Sequence, residues 1–211
     1  MDKGHTIQVL DHGYVRLVDW MGSDERICEA ARISYKAPSK GPESDRKLIH
    51  YLYKNRHTSP FEMNKLTLDI KMPIFVARQY SRHRMQSMNE VSARYTELPE
   101  EFYIPPGWRF QDTKNKQSSR AEGKDHQGST IDDKWNPTVE VYNHIPTQEE
   151  NYSRIPVTAT AALKAHCHDS YELYKNMIAQ GIAREMARMV LPVNIYTEIY
   201  CLGSEEPIAF H

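Results

Sequence analysis

The chain has 211 residues, 39% of them hydrophobic and 26% charged, which suits one water-soluble domain with a core of its own. Lys+Arg number 27 against 28 Asp+Glu, a formal charge of -1, so the general basicity of a protein that coats nucleic acid is excluded and any positive patch is local. No apolar run is long enough to cross a membrane, the N-terminus has no signal-peptide pattern, and three widely spaced cysteines (Cys28, Cys167, Cys201) suit a reducing cytoplasm.

Two short strands, TIQVL and YVRLVDWM, flank Asp11-His12-Gly13 and predict an opening hairpin. Ser23 before Asp24 and Glu25, with Ile27, Ala30 and Ala31 at helical spacing, predicts a capped helix. A second, amphipathic helix is expected over 42–56, with Leu48, Ile49, Leu52 and Tyr53 on its apolar face. Over 65–72 polar and apolar residues alternate without a break, the period of a half-buried strand. Pro73 is placed as the first residue of a helix running toward the basic group Ser81-Arg82-His83-Arg84. EFYIP reads as a short strand, and 109–150 as a polar excursion or loop with little periodicity. The longest helix is expected over 157–180, interrupted by Gly181; helical spacing resumes over 182–191, and a final strand spans 193–200. Strands and helices mix without βαβ alternation. The expected fold is therefore α+β, a mixed or antiparallel sheet packed with helices in a single domain over 1–211.

The nine glycines form neither G-x-G-x-x-G nor a P-loop, so a nucleotide must be held by other means. Arg78, Arg82, Arg84 and Arg94 fall in one short segment with His83, Gln79, Ser87, Asn89, Glu90 and Ser92, donors and acceptors suited to phosphates, sugar hydroxyls and base edges. On one helix face Arg78 and Arg82 would repel, and an anion would offset that cost; a solvated basic face is the plainer alternative. Arg184 and Arg188 repeat the four-residue spacing, with Glu185 and solvent as the plainer neutralisers. His166, Cys167, His168 and Asp169 carry ligand atoms, but neighbours one and two apart do not share a helix face, and no metal site is expected. Tyr171 and Tyr174 read as packing residues.

Residues 82–95, RHRMQSMNEVSARY, contain Arg-His-Arg, seven residues, then Ser92, with Glu90 two before it and Arg94-Tyr95 after. This resembles the signature of the flavin-dependent thymidylate synthases. EAARISY, HTSPFE, PIFVARQY and GIAREMARMVLPVNIYTE resemble that family's other segments in its order, from about residue 9 to residue 200, with 109–150 matching poorly. The resemblance implies a synthase that makes dTMP from dUMP, with methylenetetrahydrofolate as one-carbon donor and NADPH as reductant through bound FAD. It implies FAD contacts at Ser59, Arg82, His83, Arg84 and Glu90, and dUMP contacts at Gln79, Arg82, Glu90, Ser92, Arg94 and Arg188. Several of those contacts come from neighbouring subunits of a homotetramer in the family. It places His57 at the flavin edge and gives Ser92 either a chemical role or, preferred here, an orienting one.

No cysteine nucleophile is expected, because no basic partner in sequence lowers a thiol pKa. After Tyr200 the chain reads CLGSEEPIAFH, without the family's Asn-Leu-Arg and Ser-His-Ala-Gln-Trp segment. The expectation is a shortened C-terminus, and the alternative reading is a catalytically impaired FAD- and dUMP-binding remnant or the N-terminal part of a split enzyme. A nucleic-acid module built on 82–95 is disfavoured by the near-zero net charge.

Overall fold

The structure is a computed structural model that describes residues 2–112, 114–120, 136–143 and 153–204. Most of the expected 111–150 excursion and the tail after Ser204 lie outside the described residues. The chain divides into two compact units, residues 1–101 with 193–211, and residues 102–192.

The first unit is built on a five-stranded, wholly antiparallel sheet. Strand β1 (Thr6–Val9) and β2 (Gly13–Met21) form the expected hairpin. Gly13 is required there, since a Cβ would lie 2.6 Å from the Val9 carbonyl oxygen and 2.9 Å from that of Lys71. Helix α1 (Asp24–Arg32) starts where Ser23 Oγ accepts the Arg26 N–H, and α2 (Pro42–Lys54) opens on proline. Their facing stripes bury Ile27 and Leu52 with Phe61, and Ala31, Leu48 and Ile49 pack at the margin. Tyr53, expected on that stripe, is exposed, because it lies one residue round the helix from Leu52.

Strand β3 (Lys65–Pro73) pairs with β2 on one side. On the other side lies β9 (Tyr196–Ser204), the last strand among the described residues, which is inserted between β3 and β4 (Gln86–Glu90) to give the order β1-β2-β3-β9-β4. One sheet face buries Ile70, Met72, Ile199 and Cys201 under Ala77 of α3 (Ile74–Tyr80), with Val15, Leu68, Val76 and Tyr80 at the edge. The alternation expected over 65–72 holds, yet Asp69 on the polar side is only 2% exposed. It is ion-paired with Arg16, and the Tyr14 hydroxyl lies 3.4 Å from its Oδ2. Pro73 ends β3 with extended backbone, and the helix begins one residue later than expected. The Ile74 and Phe75 N–H groups donate to the Ile195 and Val193 carbonyls, both at 2.9 Å. Those carbonyls are committed to the helix start, and β9 accordingly begins at Tyr196 rather than at residue 193. It then continues past residue 200, pairing Ser204 with Lys65.

In the second unit, β5 (Phe110–Gln111) pairs with β6 (Ser119–Arg120), and β7 (Thr138–Asn143) pairs with β8 (Ser153–Thr158). The described part of the expected excursion thus contains strands. Phe102 forms only an isolated bridge, so EFYIP is not a strand. Helix α4 (Ala159–Ala179) is capped by Thr158, whose hydroxyl accepts the Ala161 N–H. It ends at Gly181, φ +81°, where the Gly181 N–H donates to Ile178 and the Ile182 N–H to Met177. Along α4, Cys167 and Tyr174 are buried while His166, His168 and Asp169 are exposed, so that run does not converge on one point. Helix α5 (Arg184–Ala187) passes into a 3-10 turn, Arg188–Val190. Among the described residues no helix is long and apolar enough to cross a membrane.

Candidate functional site

Helix α3 stops at Tyr80, so Arg82 lies beyond it and the repulsion expected between Arg78 and Arg82 on one helical face does not arise. The chain folds back on the helix end instead. The Ser81, Arg82 and His83 N–H groups donate to the Ala77, Gln79 and Tyr80 carbonyls, and Gln86 Nε2 donates to the Tyr80 carbonyl at 3.1 Å. Tyr80 is the pin of this turn. Its hydroxyl lies 3.2 Å from the buried Cys201 Sγ, its pKa is pushed well up by burial and then by that contact, and its ring meets the edge of His83 at 6.0 Å. With the backbone of residues 81–83 fixed in this way, Arg82 and Arg84 are exposed and, among the described residues, carry no carboxylate partner. Gln79 is exposed on the last turn of the helix.

From this turn the chain enters β4, an edge strand whose residues are almost all exposed. Glu90 pairs across to Ile199, and its Oε1 accepts the Thr197 hydroxyl at 2.7 Å. Val91 N–H donates to the Glu198 carbonyl, after which Ser92 heads a turn. The Ser92 Oγ accepts the Arg94 N–H at 3.3 Å and its carbonyl accepts the Tyr95 and Thr96 N–H groups. Ala93 is buried beneath this turn, and Arg94 lies over the Tyr95 ring at 5.5 Å. Glu90, Ser92 and Arg94 are thus brought together on one strand end and its turn.

His57 and Ser59 follow α2. The His57 N–H donates to the Leu52 carbonyl and its exposed ring meets the edge of Tyr51 at 5.8 Å. Ser59 lines a cleft of about 590 Å³ with Pro60, Met63 and, from α1, Arg26, Glu29, Ala30 and Ile33. The α1 contribution was not assigned from sequence; its signal was the polar residues Arg26 and Glu29 off the Ile27 face of the helix. Arg188 is exposed in the 3-10 turn of the second unit. Sequence reasoning also missed Thr197 and Tyr80, which hold site residues without carrying charge. Cys28, Cys167 and Cys201 are all buried, and burial pushes the Cys28 and Cys201 thiols up, away from the thiolate form a nucleophile needs.

The fold and this donor set define an α+β protein whose first unit presents exposed arginines, a carboxylate and a hydroxyl along a sheet edge, a chemistry suited to a phosphorylated, hydrogen-bonding ligand. The family described as Thymidylate synthase complementing protein matches residues 16–204, and this chain belongs to that family. It is similar to a flavin-dependent thymidylate synthase of Thermus thermophilus, 44% identical over 200 residues, covering 95% of this chain and 63% of that relative. The flavin-dependent thymidylate synthase of Thermosipho africanus is 39% identical over 193 residues, 92% of this chain and 72% of the relative. Among solved structures, the UMP/dUMP methylase PolB from Streptomyces cacaoi bound with 5-Br dUMP superposes with a TM-score of 0.69 at 30% identity, covering 94% of this chain and 76% of that one. The chain spans a little under two thirds of the length of the Thermus relative.

Proposed function

We propose that this protein is a flavin-dependent thymidylate synthase, methylating dUMP to dTMP with FAD, NADPH and methylenetetrahydrofolate. The observation that carries the reading is the pinned turn presenting Arg82, His83 and Arg84 beside the Glu90, Ser92 and Arg94 edge, in a chain 44% identical to a protein of that name. The residues fit FAD, because two exposed arginines and a histidine on an anchored turn can hold a diphosphate without a glycine cradle, through charge-assisted hydrogen bonds. Ser59, on its cleft, offers a hydroxyl to the same cofactor, and Glu90 keeps Oε2 and its remaining lone pairs for polar N–H or hydroxyl groups. FAD, when bound, carries the reducing equivalents from NADPH.

The chain's own residues bind and orient dUMP. Gln79, Arg82, Arg94 and Arg188 supply N–H donors for phosphate and uracil oxygens, and an arginine close to a uracil carbonyl favours the negative charge that develops there. Ser92 is a positioning hydroxyl: its oxygen already accepts the Arg94 N–H, which leaves its proton to donate to dUMP. His57 stands at the edge where folate and NADPH exchange. The reading extends to a homotetramer whose neighbouring subunits share each site. The test is the visible spectrum of the purified protein with dUMP and then NADPH, followed by tritium release from [5-³H]dUMP in the presence of methylenetetrahydrofolate. Flavin bands that bleach with NADPH and release that requires dUMP, folate and NADPH are expected; a protein that takes up no FAD overturns the proposal.

A further inference from the structure

The geometry points to Thr197 as a positioning residue that fixes the Glu90 carboxylate for ligand, an inference that rests on the reading of Glu90 as a dUMP and flavin contact. Thr197 lies on β9 between two ordered neighbours, with Met72 opposite it on β3 and Glu90 diagonally across on β4. Along β9 the side chains at 197, 199 and 201 share a face, and the other two of these positions are Ile199 and Cys201, both buried in the sheet core. A valine or isoleucine is the residue such a position favours, because a hydroxyl taken out of water is costly unless it is hydrogen-bonded. Thr197 is only 4% exposed, and its hydroxyl donates to Glu90 Oε1 at 2.7 Å.

The acceptor is an exposed glutamate on an edge strand, a side chain that in solvent would spread over many rotamers. One bond from a rigid, β-branched donor on a central strand confines it and leaves Oε2 for ligand. The arrangement is one-sided. Thr197 is buried and acts through Glu90, which is exposed and, held in place, meets ligand with little rotamer freedom left to lose.

Thr197→Val keeps the shape and removes the donor; Thr197→Ser keeps the donor. The experiment titrates dUMP into the FAD-loaded full chain by calorimetry, for wild type, both variants, Glu90→Ala, and Glu90→Ala combined with Thr197→Val, with thermal melting of each. Expected is a loss of dUMP affinity on the order of tenfold in Thr197→Val, recovery to within about twofold in Thr197→Ser, and no further loss when Thr197→Val is added to Glu90→Ala. Wild-type affinity in Thr197→Val overturns the inference, and so does an equal loss in the Glu90→Ala background, which marks an effect of the strand and not of the carboxylate. Absence of dUMP binding by the wild type removes the functional reading, and the inference with it.

Discussion

Two groups of arginines in the same unit are treated in opposite ways. At the α1–α2 seam Arg32 is 7% exposed and its Nη2 lies 2.5 Å from Asp45 Oδ1, with Ser39 Oγ donating to Oδ2 at 2.9 Å. At the turn between α3 and β4 the backbone is just as firmly bonded, but Arg82 and Arg84 face solvent and, among the described residues, no carboxylate answers them. Where a charge is buried and answered within the chain, it serves the fold; where an ordered backbone presents charge unanswered, its partner comes from outside. The Arg16 and Asp69 pair shows an intermediate form. A buried carboxylate on the central strand is neutralised by a half-exposed arginine from the neighbouring strand.

The contrast can be broken by separating stability from binding. The largest expected effect is at the seam itself: Ile27→Ala, at a residue 1% exposed in the cluster with Leu52 and Phe61, should cost about 2–5 kcal/mol in chemical denaturation while dUMP affinity of the folded fraction is unchanged. Arg82→Ala should do the reverse, weakening FAD and dUMP binding about 10- to 100-fold in titration, with a stability change within about 0.5 kcal/mol. If Arg82→Ala unfolds the protein instead, the two groups of arginines are not different in kind.

The seam also has an acid signature. The Arg32 guanidinium, and then Ser39, hold the Asp45 carboxyl below the usual aspartate range against the opposing cost of burial. A depressed folded pKa contributes stability that is complete above the unfolded aspartate value, about 3.9, and is lost as pH falls through the folded value. Melting followed from pH 6 to pH 2 should show this loss, and Asp45→Asn should flatten that part of the curve. The smallest effect is spectroscopic. Burial first, and then the charge of Asp69, push Tyr14 up to about 12, so its tyrosinate absorbance should appear later than that of exposed tyrosines, and Tyr14→Phe should remove that late step. The sign is opposite to that of Asp45: a raised folded pKa gives stability that is present below pH 10 and lost as pH rises toward 12.

The elements with strong local signals were legible in the sequence: the opening hairpin, the Ser23 cap, the alternation of 65–72, and the long helix closed by Gly181. The candidate site residues Arg82, His83, Arg84, Glu90, Ser92 and Arg94 stand out together in the sequence because they lie within thirteen positions of one another. Strand β4 was not legible. Its sequence, QSMNE, has no apolar face, and it is a strand only because β9 pairs with it from more than one hundred residues away. The burial of Asp69 was hidden for the same reason, since the arginine that permits it stands on β2.

Composition and local pattern determined the α+β class, the Ser23 cap, the Gly181 stop of the longest helix and the grouping of the candidate site's charges, because those depend on periodicity, caps and residue type over a few neighbours. Only the tertiary structure decided which arginines found a carboxylate, that Tyr80 pins the basic turn to Cys201, and that Thr197 reaches Glu90. The last two depend on β9 entering the sheet between β3 and β4, a long-range pairing set by the burial of a whole sheet face, which no short window of the chain encodes.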